Sequence, residues 1–220
     1  MLIFVDFNSF HRSLAKGNDH PFVLRLILLT FSSWLFQSIL YMDRTEKAFK
    51  ILLELILFIL SLLVISYLLN NTLLSIFLAF ILVHTLNWIF NGQIGVLLKN
   101  LDILNTDKEK FFDYMDNVKE KVINENSIIA AAAFGSLSRK ELKKTSDLDI
   151  RIIRKPGYIN GIKACFFVLK ERSKAFFNKF PLDIYVLDNY EMINIHIKNE
   201  EPVILYDPDK VLEKFLRINQ

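Results

Sequence analysis

The stretch that decides the fold of the C-terminal half is AAAAFGSLSRKELKKTSDLDIRII, residues 130–153. It starts inside the apolar run Ile128–Phe134, which is too short for another useful helix and is interpreted as a buried strand. It ends in residues 147–153, where polar and apolar residues alternate with the period of a strand that has one buried face. Between them, the basic residues 138–144 are predicted to form a short helix.

Two carboxylates lie in the second of these strands. Because Asp147 and Asp149 are two residues apart, their side chains are expected on the same face, ~7 Å apart. That distance allows both to bind one divalent cation or to share a pair of cations. Gly135 lets the backbone come close to a phosphate, and the Ser136 hydroxyl can donate to it. The helix predicted near Ser138 would point its amide groups at the same place.

The rest of the C-terminal half completes an α/β (α+β) order with a small mixed sheet. Residues 106–109 have the spacing of a capping box, so a helix with an apolar face of Phe111, Met115, Val118 and Val122 is expected after them. Further elements, in the order helix, strand, helix, strand, helix, are predicted at residues 159–180, 182–187, 190–197, 203–206 and 208–216. The first of these strands carries Asp183, and the expected domain covers residues 106–220.

The preceding part of the chain, residues 23–98, has the composition of a membrane anchor. No charged residue occurs from Leu55 to Leu98, and a bilayer core about 30 Å thick needs roughly 20 apolar helical residues. The run is therefore long enough for two crossings. Because the polar Asn70-Asn71-Thr72 lies near its middle, a helical hairpin is predicted over residues 51–69 and 73–90.

An earlier apolar segment, residues 26–42, follows an N-terminal segment of residues 1–22 and is at the short end of the spanning range. Whether it crosses is left open, so the predicted anchor has two or three transmembrane helices. The basic connection of residues 43–50 favours the cytoplasm and the uncharged turn at Asn70 the outside. We therefore expect a multi-pass protein of the cell membrane with its C-terminal domain in the cytoplasm, although three crossings would place the basic N-terminus outside.

Three polar residues of the predicted hairpin have structural explanations. Glu54 is one turn from Lys50 and is expected to reach the lipid headgroups. Hydrogen bonds between helices account for His84 and Asn87.

The motifs of the C-terminal half, taken together, resemble the polymerase-beta-type nucleotidyltransferase superfamily. They are Phe134-Gly135-Ser136, a gap of ten residues, Asp147-Leu148-Asp149-Ile150 and the later Asp183. The flanking Ser138-Arg139 and Ser146 are most similar to the minimal nucleotidyltransferase branch. The resemblance covers roughly residues 106–207 and does not reach the anchor.

This resemblance implies roles for seven residues. The catalytic residues and metal ligands would be Asp147, Asp149 and Asp183, and the cofactor would be Mg²⁺ in a two-metal site. The nucleotide would be bound by Gly135, Ser136, Arg139 and Ser146.

The expected function is a membrane-anchored, metal-dependent transfer of a nucleotidyl group, with AMP favoured, from a nucleoside triphosphate to a hydroxyl acceptor. The acceptor, on a small molecule, a lipid-linked intermediate or a protein, is not specified by the sequence. The alternative is a non-catalytic nucleotide-binding or protein-interaction module at the membrane. About 115 residues leave little room beyond a catalytic core. A partner protein or a homodimer is therefore a candidate for selecting the acceptor.

Nucleic acid is not an expected partner, because a net charge of +3 is too small for a protein that follows a phosphate backbone. The basic residues Lys140, Lys143 and Lys144 are interpreted as a solvated surface, with acidic lipids as an alternative contact.

Overall fold

The structure, a computed structural model, describes residues 22–92, 106–196 and 201–218. In these parts, the helices are α1 (Phe22–Phe36), α2 (Arg44–Leu68), α3 (Thr72–Phe90), α4 (Lys108–Ile123), α5 (Tyr158–Phe177), α6 (Glu191–His196) and α7 (Val211–Ile218). The strands are β1 (Ile128–Phe134), β2 (Leu148–Arg154), β3 (Leu182–Leu187) and β4 (Val203–Tyr206). Residues 1–21 of the predicted N-terminal segment lie outside the described residues. Residues 93–98, at the end of the predicted anchor, also lie outside them.

The four strands form one mixed sheet in the order β3-β2-β1-β4. β1 is antiparallel to both β2 and β4, whereas β2 and β3 are parallel and are connected through α5. The predicted fold class, α+β with a small mixed sheet preceded by long apolar helices, is thereby confirmed.

Apolar side chains cover both faces of this sheet. On one face, Ala131, Ala133, Ile150 and Ile152 pack with side chains of α4 and α5. On the other face, alternate residues of the same strands pack with Ile193 of α6 and Leu212 of α7. Because β1 is buried on both sides, its sequence is continuously apolar rather than alternating.

The predicted helix at residues 138–144 is wrong. Residues 135–140 form turns instead, closed by hydrogen bonds from the Arg139 amide to the Gly135 carbonyl and from the Glu141 amide to the Ser136 carbonyl. The Ser138 hydroxyl also donates to the Gly135 carbonyl, a local bond that competes with helix formation. The predicted helix dipole aimed at a phosphate is therefore absent from this loop.

The cap of α4 also differs from the prediction. The Asp107 side chain, not that of Thr106, accepts from the Lys110 amide and caps the helix. Thr106 is buried, and its amide donates to the Lys144 carbonyl, which attaches the start of α4 to the loop before β2. The cap therefore lies one residue later than predicted.

Two helices, α2 and α3, are long and apolar enough to cross a membrane. They correspond to the predicted hairpin, although α2 begins at Arg44, seven residues before the predicted start. The earlier segment ends sooner than predicted, because α1 stops at Phe36 and residues 37–42 form turns and a bend. A 15-residue helix is about 22 Å long, less than the ~30 Å bilayer core.

Polar side chains join the apolar helices to one another. His84 Nδ1 lies 2.5 Å from Glu54 Oε1, and the Asn87 amide donates to Glu54 Oε2 over 2.7 Å. The other ring nitrogen of His84 lies 2.9 Å from the Trp34 carbonyl oxygen on α1. The prediction of interhelical hydrogen bonds for His84 and Asn87 is thus confirmed. Glu54 turns toward α3, and because its two oxygens have partners there, it does not extend to the headgroups as expected.

Candidate active site

The candidate site is centred on the turn that follows β1. Gly135 has a left-handed φ of 71°, which favours glycine, and a Cβ atom at this position would lie 2.1 Å from Asp149 Oδ2. The preceding residue, Phe134, pairs with Asp149 across β1 and β2. The Asp149 carboxylate therefore lies directly against the Gly135 backbone, in space that only glycine leaves free.

Asp147 and Asp149 lie on one face, as the alternation predicts. Asp147 directly precedes β2 and Asp149 is its second residue. Both are partly buried, whereas the intervening Leu148 and the following Ile150 are fully buried in the core. The burial of Leu148 and Ile150 thus fixes the direction of both carboxylates.

The third predicted carboxylate is on the neighbouring strand. Asp183 pairs in register with Asp149 across the parallel strands β3 and β2. Neighbouring strands of a sheet lie ~4.8 Å apart. The Asp183 carboxylate is engaged by Arg151, whose Nη2 atom lies 3.7 Å from Asp183 Oδ2. Arg151 Nη1 also donates to the Asp183 carbonyl over 3.2 Å.

The backbone aligns the three carboxylates without gathering them into one cluster. Within residues 22–92, 106–196 and 201–218, no three His, Cys, Asp or Glu side chains are grouped closely enough to hold a metal ion. The chemistry of the donors nevertheless fits magnesium, because carboxylate oxygens are the ligands that this ion takes. Asp147 and Asp149 are the described residues whose carboxylates could hold such an ion, whereas the Asp183 carboxylate is paired with Arg151 in this structure.

Sequence reasoning gave Arg151 no role at the site. The sequence feature that could have identified Arg151 is its position two residues after Asp149, on the same face of the same strand. A cation on that face lies among the carboxylates and offsets part of their mutual repulsion.

Ser136 supplies an unexplained polar atom beside Gly135. Its hydroxyl oxygen is buried and, among the residues that the structure describes, has no hydrogen-bond partner. Such an atom in a native fold calls for a ligand or water. The sequence assigns this hydroxyl to the nucleotide, and that role stays a prediction.

The other two predicted nucleotide-binding residues differ in accessibility. Arg139 is half exposed, with its Nε atom 3.5 Å from Glu141 Oε2. Ser146 is buried, and its hydroxyl accepts from the Lys143 amide over 2.9 Å. Ser146 therefore shapes the turn that leads into Asp147, and Arg139 is the one with a side chain accessible to a ligand.

A groove of about 600 Å³ opens beside this loop. Its lining combines basic and apolar side chains: Lys108, Lys140, Lys143, Phe112, Leu137 and Leu142, with Glu141 at its side. A groove of this composition suits a ligand with both negative charge and an apolar or planar part.

Residues 116–210 match the family model described as Polymerase beta, Nucleotidyltransferase. The matched region includes all four strands and every predicted site residue. It supports the superfamily assignment and nucleotidyl transfer as the general activity. No curated protein and no solved structure matches the chain significantly.

Proposed function

We propose that this chain is a membrane-anchored, metal-dependent nucleotidyltransferase, with residues 106–220 as its catalytic domain and residues 23–98 as its anchor. The reaction moves a nucleotidyl group, AMP in the simplest case, from a nucleoside triphosphate to a hydroxyl acceptor. The observation that carries this proposal is the contact between Asp149 and Gly135, because it places a carboxylate against the turn that would hold the phosphates.

The proposed chemistry divides among the residues around this turn. When bound, magnesium neutralises the triphosphate and aligns the attacking oxygen with the departing pyrophosphate. Asp147 and Asp149 hold the ion, and Ser136 donates its hydroxyl hydrogen to a phosphate oxygen. Arg139 pairs with the phosphates from the open side of the loop. Ser146 fixes the turn that presents Asp147.

The transfer forms a bond between the acceptor oxygen and the α-phosphorus and breaks the bond to pyrophosphate. The hydroxyl proton passes to a carboxylate, for which Asp183 is the proposed acceptor. Asp183 is held by Arg151 in this structure, so we propose that substrate binding separates the pair.

The membrane part of the proposal rests on the exposure of the hairpin. None of the residues in the most apolar 18-residue stretch of α2 is buried, and only 22% are buried in the corresponding stretch of α3. The core helix of a soluble protein would be covered by its own chain. By the bias for basic residues inside, we propose a multi-pass protein of the cell membrane with the catalytic domain in the cytoplasm.

The acceptor is proposed to be a small molecule, a lipid-linked intermediate or a protein. The groove lined by Lys108, Lys140 and Phe112 is the candidate position for the acceptor or for the base of the nucleotide. A partner protein or a second copy of the chain is proposed to help select the acceptor, because the matched region spans only residues 116–210.

A second function, a nucleotide-binding or interaction module without catalysis, is favoured by one observation. Asp183 is paired with Arg151, and the described residues contain no group of three acidic, His or Cys side chains suited to a metal. A module of this kind would bind nucleotide without releasing pyrophosphate.

The experiment uses full-length protein in lipid nanodiscs with Mg²⁺, each nucleoside triphosphate in turn and a membrane-containing lysate as acceptor source. We expect pyrophosphate release with one or more nucleotides, lost in Asp147→Asn. Asp116→Asn is a matched control, because Asp116 is an exposed aspartate on α4. Nucleotide binding without pyrophosphate release would favour the interaction module.

A further inference from the structure

The start of α2 is built into the C-terminal half through the edge strand β3. This strand lies at the end of the sheet, so its outward amides have no neighbouring strand. Glu46 Oε2 accepts from the Val186 amide over 2.7 Å, and Asp43 Oδ2 accepts from the Asp188 amide over 2.9 Å. Two carboxylates from the start of α2 thus bind backbone amides at the C-terminal end of the strand that carries Asp183.

The same glutamate forms a buried ion pair with α5. Glu46 Oε1 lies 2.7 Å from Arg172 Nη1, and the two side chains are only 4% and 3% exposed. Burial alone would lower the pKa of Arg172, but the Glu46 carboxylate, together with Tyr185 and Asp183, raises it above its ordinary value. Arg172 therefore stays charged, and Glu46 is its counter-ion.

From Arg172, contacts continue to the carboxylate at the site. Arg172 donates to the Ile184 carbonyl, the residue after Asp183, and its guanidinium carbon lies 4.7 Å from the centre of the Tyr185 ring. The guanidinium carbon of Arg151 lies 4.6 Å from the centre of the same ring. Arg151 in turn pairs with the Asp183 carboxylate. The side chains in this series of contacts are all at least partly buried.

We propose that Glu46, at the start of the membrane hairpin, is a positioning residue for Asp183, acting through β3, Arg172, Tyr185 and Arg151. The physical basis of this inference is the set of contacts that Glu46 and Arg172 make with β3. Its consequence for catalysis rests on the proposed function. These contacts connect the anchor to the catalytic domain. A change in the structure of the hairpin should therefore alter the proposed metal site. The role proposed for Glu46 is positioning, without contact with the substrate or the metal.

The test compares Glu46→Gln with Glu171→Gln in the full-length protein in nanodiscs. Glutamine keeps the shape but removes the charge that pairs with Arg172, and a neutral acceptor holds the Val186 amide less strongly. Glu171 is a matched control because it is also buried and lies on α5 beside Arg172. It forms an ion pair with Lys121, whereas Glu46 binds β3. Arg172→Lys is a second variant, because it keeps the charge but loses the planar contact with Tyr185.

Two readouts are independent of turnover: hydrogen–deuterium exchange of residues 182–188, and Mn²⁺ binding in the presence of a non-hydrolysable nucleoside triphosphate, followed by electron paramagnetic resonance. Glu46→Gln and Arg172→Lys are expected to speed exchange and to weaken Mn²⁺ binding about tenfold. With an active protein, kcat should fall while the KM for nucleotide stays within about twofold. Glu171→Gln should change none of these.

The outcomes separate this inference from the proposed reaction. Exchange of residues 182–188 in both variants equal to that of Glu171→Gln would overturn the inference, even if the wild-type chain transfers nucleotide. If the wild-type chain is inactive but exchange is faster in the two variants, the faster exchange supports the inference and the inactivity counts against the proposed reaction.

Discussion

Gly135 and Asp149 share one space: a Cβ atom on Gly135 would lie 2.1 Å from Asp149 Oδ2. Gly135→Ala must therefore displace the carboxylate and also hold alanine at a positive φ, which costs about 1–2 kcal/mol. We expect the variant to fold with lowered stability and to lose nucleotidyl transfer. Thermal unfolding and pyrophosphate release measure the two effects.

Gly157→Ala is the control for this substitution. Gly157 also has a positive φ, 102°, but a Cβ there would meet only Asn160 Nδ2, at 3.8 Å. It should lose comparable stability and keep its activity. Equal activity of the two variants would contradict the role given to the Gly135–Asp149 contact.

The contact between the hairpin and the sheet should weaken in acid. Burial alone would raise the pKa of Asp188, but hydrogen bonds from Thr45 and Arg154 outweigh it and lower the pKa. A carboxyl with a lowered pKa in the folded state contributes stability above its unfolded pKa of about 4, and loses it as the pH falls through the folded value. We expect the wild-type melting temperature to fall below about pH 4 more steeply than that of Asp188→Asn.

Asp209→Asn provides the comparison, because Asp209 is exposed. Its pH profile should follow that of the wild type. If the melting temperature of Asp188→Asn falls with decreasing pH as steeply as that of the wild type, Asp188 is not a source of the pH dependence.

The single cysteine should be unreactive in the folded protein. Burial, with the nearby Glu46 carboxylate, raises the pKa of Cys165 to about 12, so the thiolate that reacts is scarce at neutral pH. We expect maleimide to label Cys165 only after the protein is unfolded in dodecyl sulfate, as read by mass spectrometry. Labelling of the native protein at the rate of an engineered cysteine at exposed Lys179 would contradict this packing.

The polar contacts within the apolar helices should contribute to stability. His84→Ala removes the partner of Glu54 Oε1 and the contact with the Trp34 carbonyl. Hydrogen bonds between membrane helices contribute about 0.6–1.7 kcal/mol, so for the proposed anchor we expect a loss of that order in unfolding by dodecyl sulfate. Leu86→Ala, at a partly exposed position on the same helix, should cost less. A smaller effect of His84→Ala than of Leu86→Ala would count against the cluster.

The sheet could be predicted closely because its signals are local. β1, β3 and β4 have the predicted bounds, and β2 is displaced by one residue, since apolar runs and period-two alternation depend on burial alone. The alignment of Asp147 with Asp149 came from the same periodicity, and the register places Asp183 beside Asp149.

The features that sequence reasoning missed depend on partners distant in the chain. The first two turns of α2 were assigned to a connection because nothing local indicates that Glu46 binds the Val186 amide, 140 residues away. Arg151 received no role because its partner Asp183 is 32 residues away in the chain. The loop after Gly135 was predicted as a helix because its composition suits one, whereas hydroxyl and amide bonds to the Gly135 carbonyl favour turns.

The most direct test of the central claim uses ATP labelled on either the α- or the γ-phosphorus, with full-length protein, Mg²⁺ and the acceptor fraction. Nucleotidyl transfer predicts acceptor labelled from the α-phosphorus only, with the γ label released in pyrophosphate, and neither product with Asp149→Asn. Acceptor labelled from the γ-phosphorus, or transfer that persists in Asp149→Asn, would contradict the account.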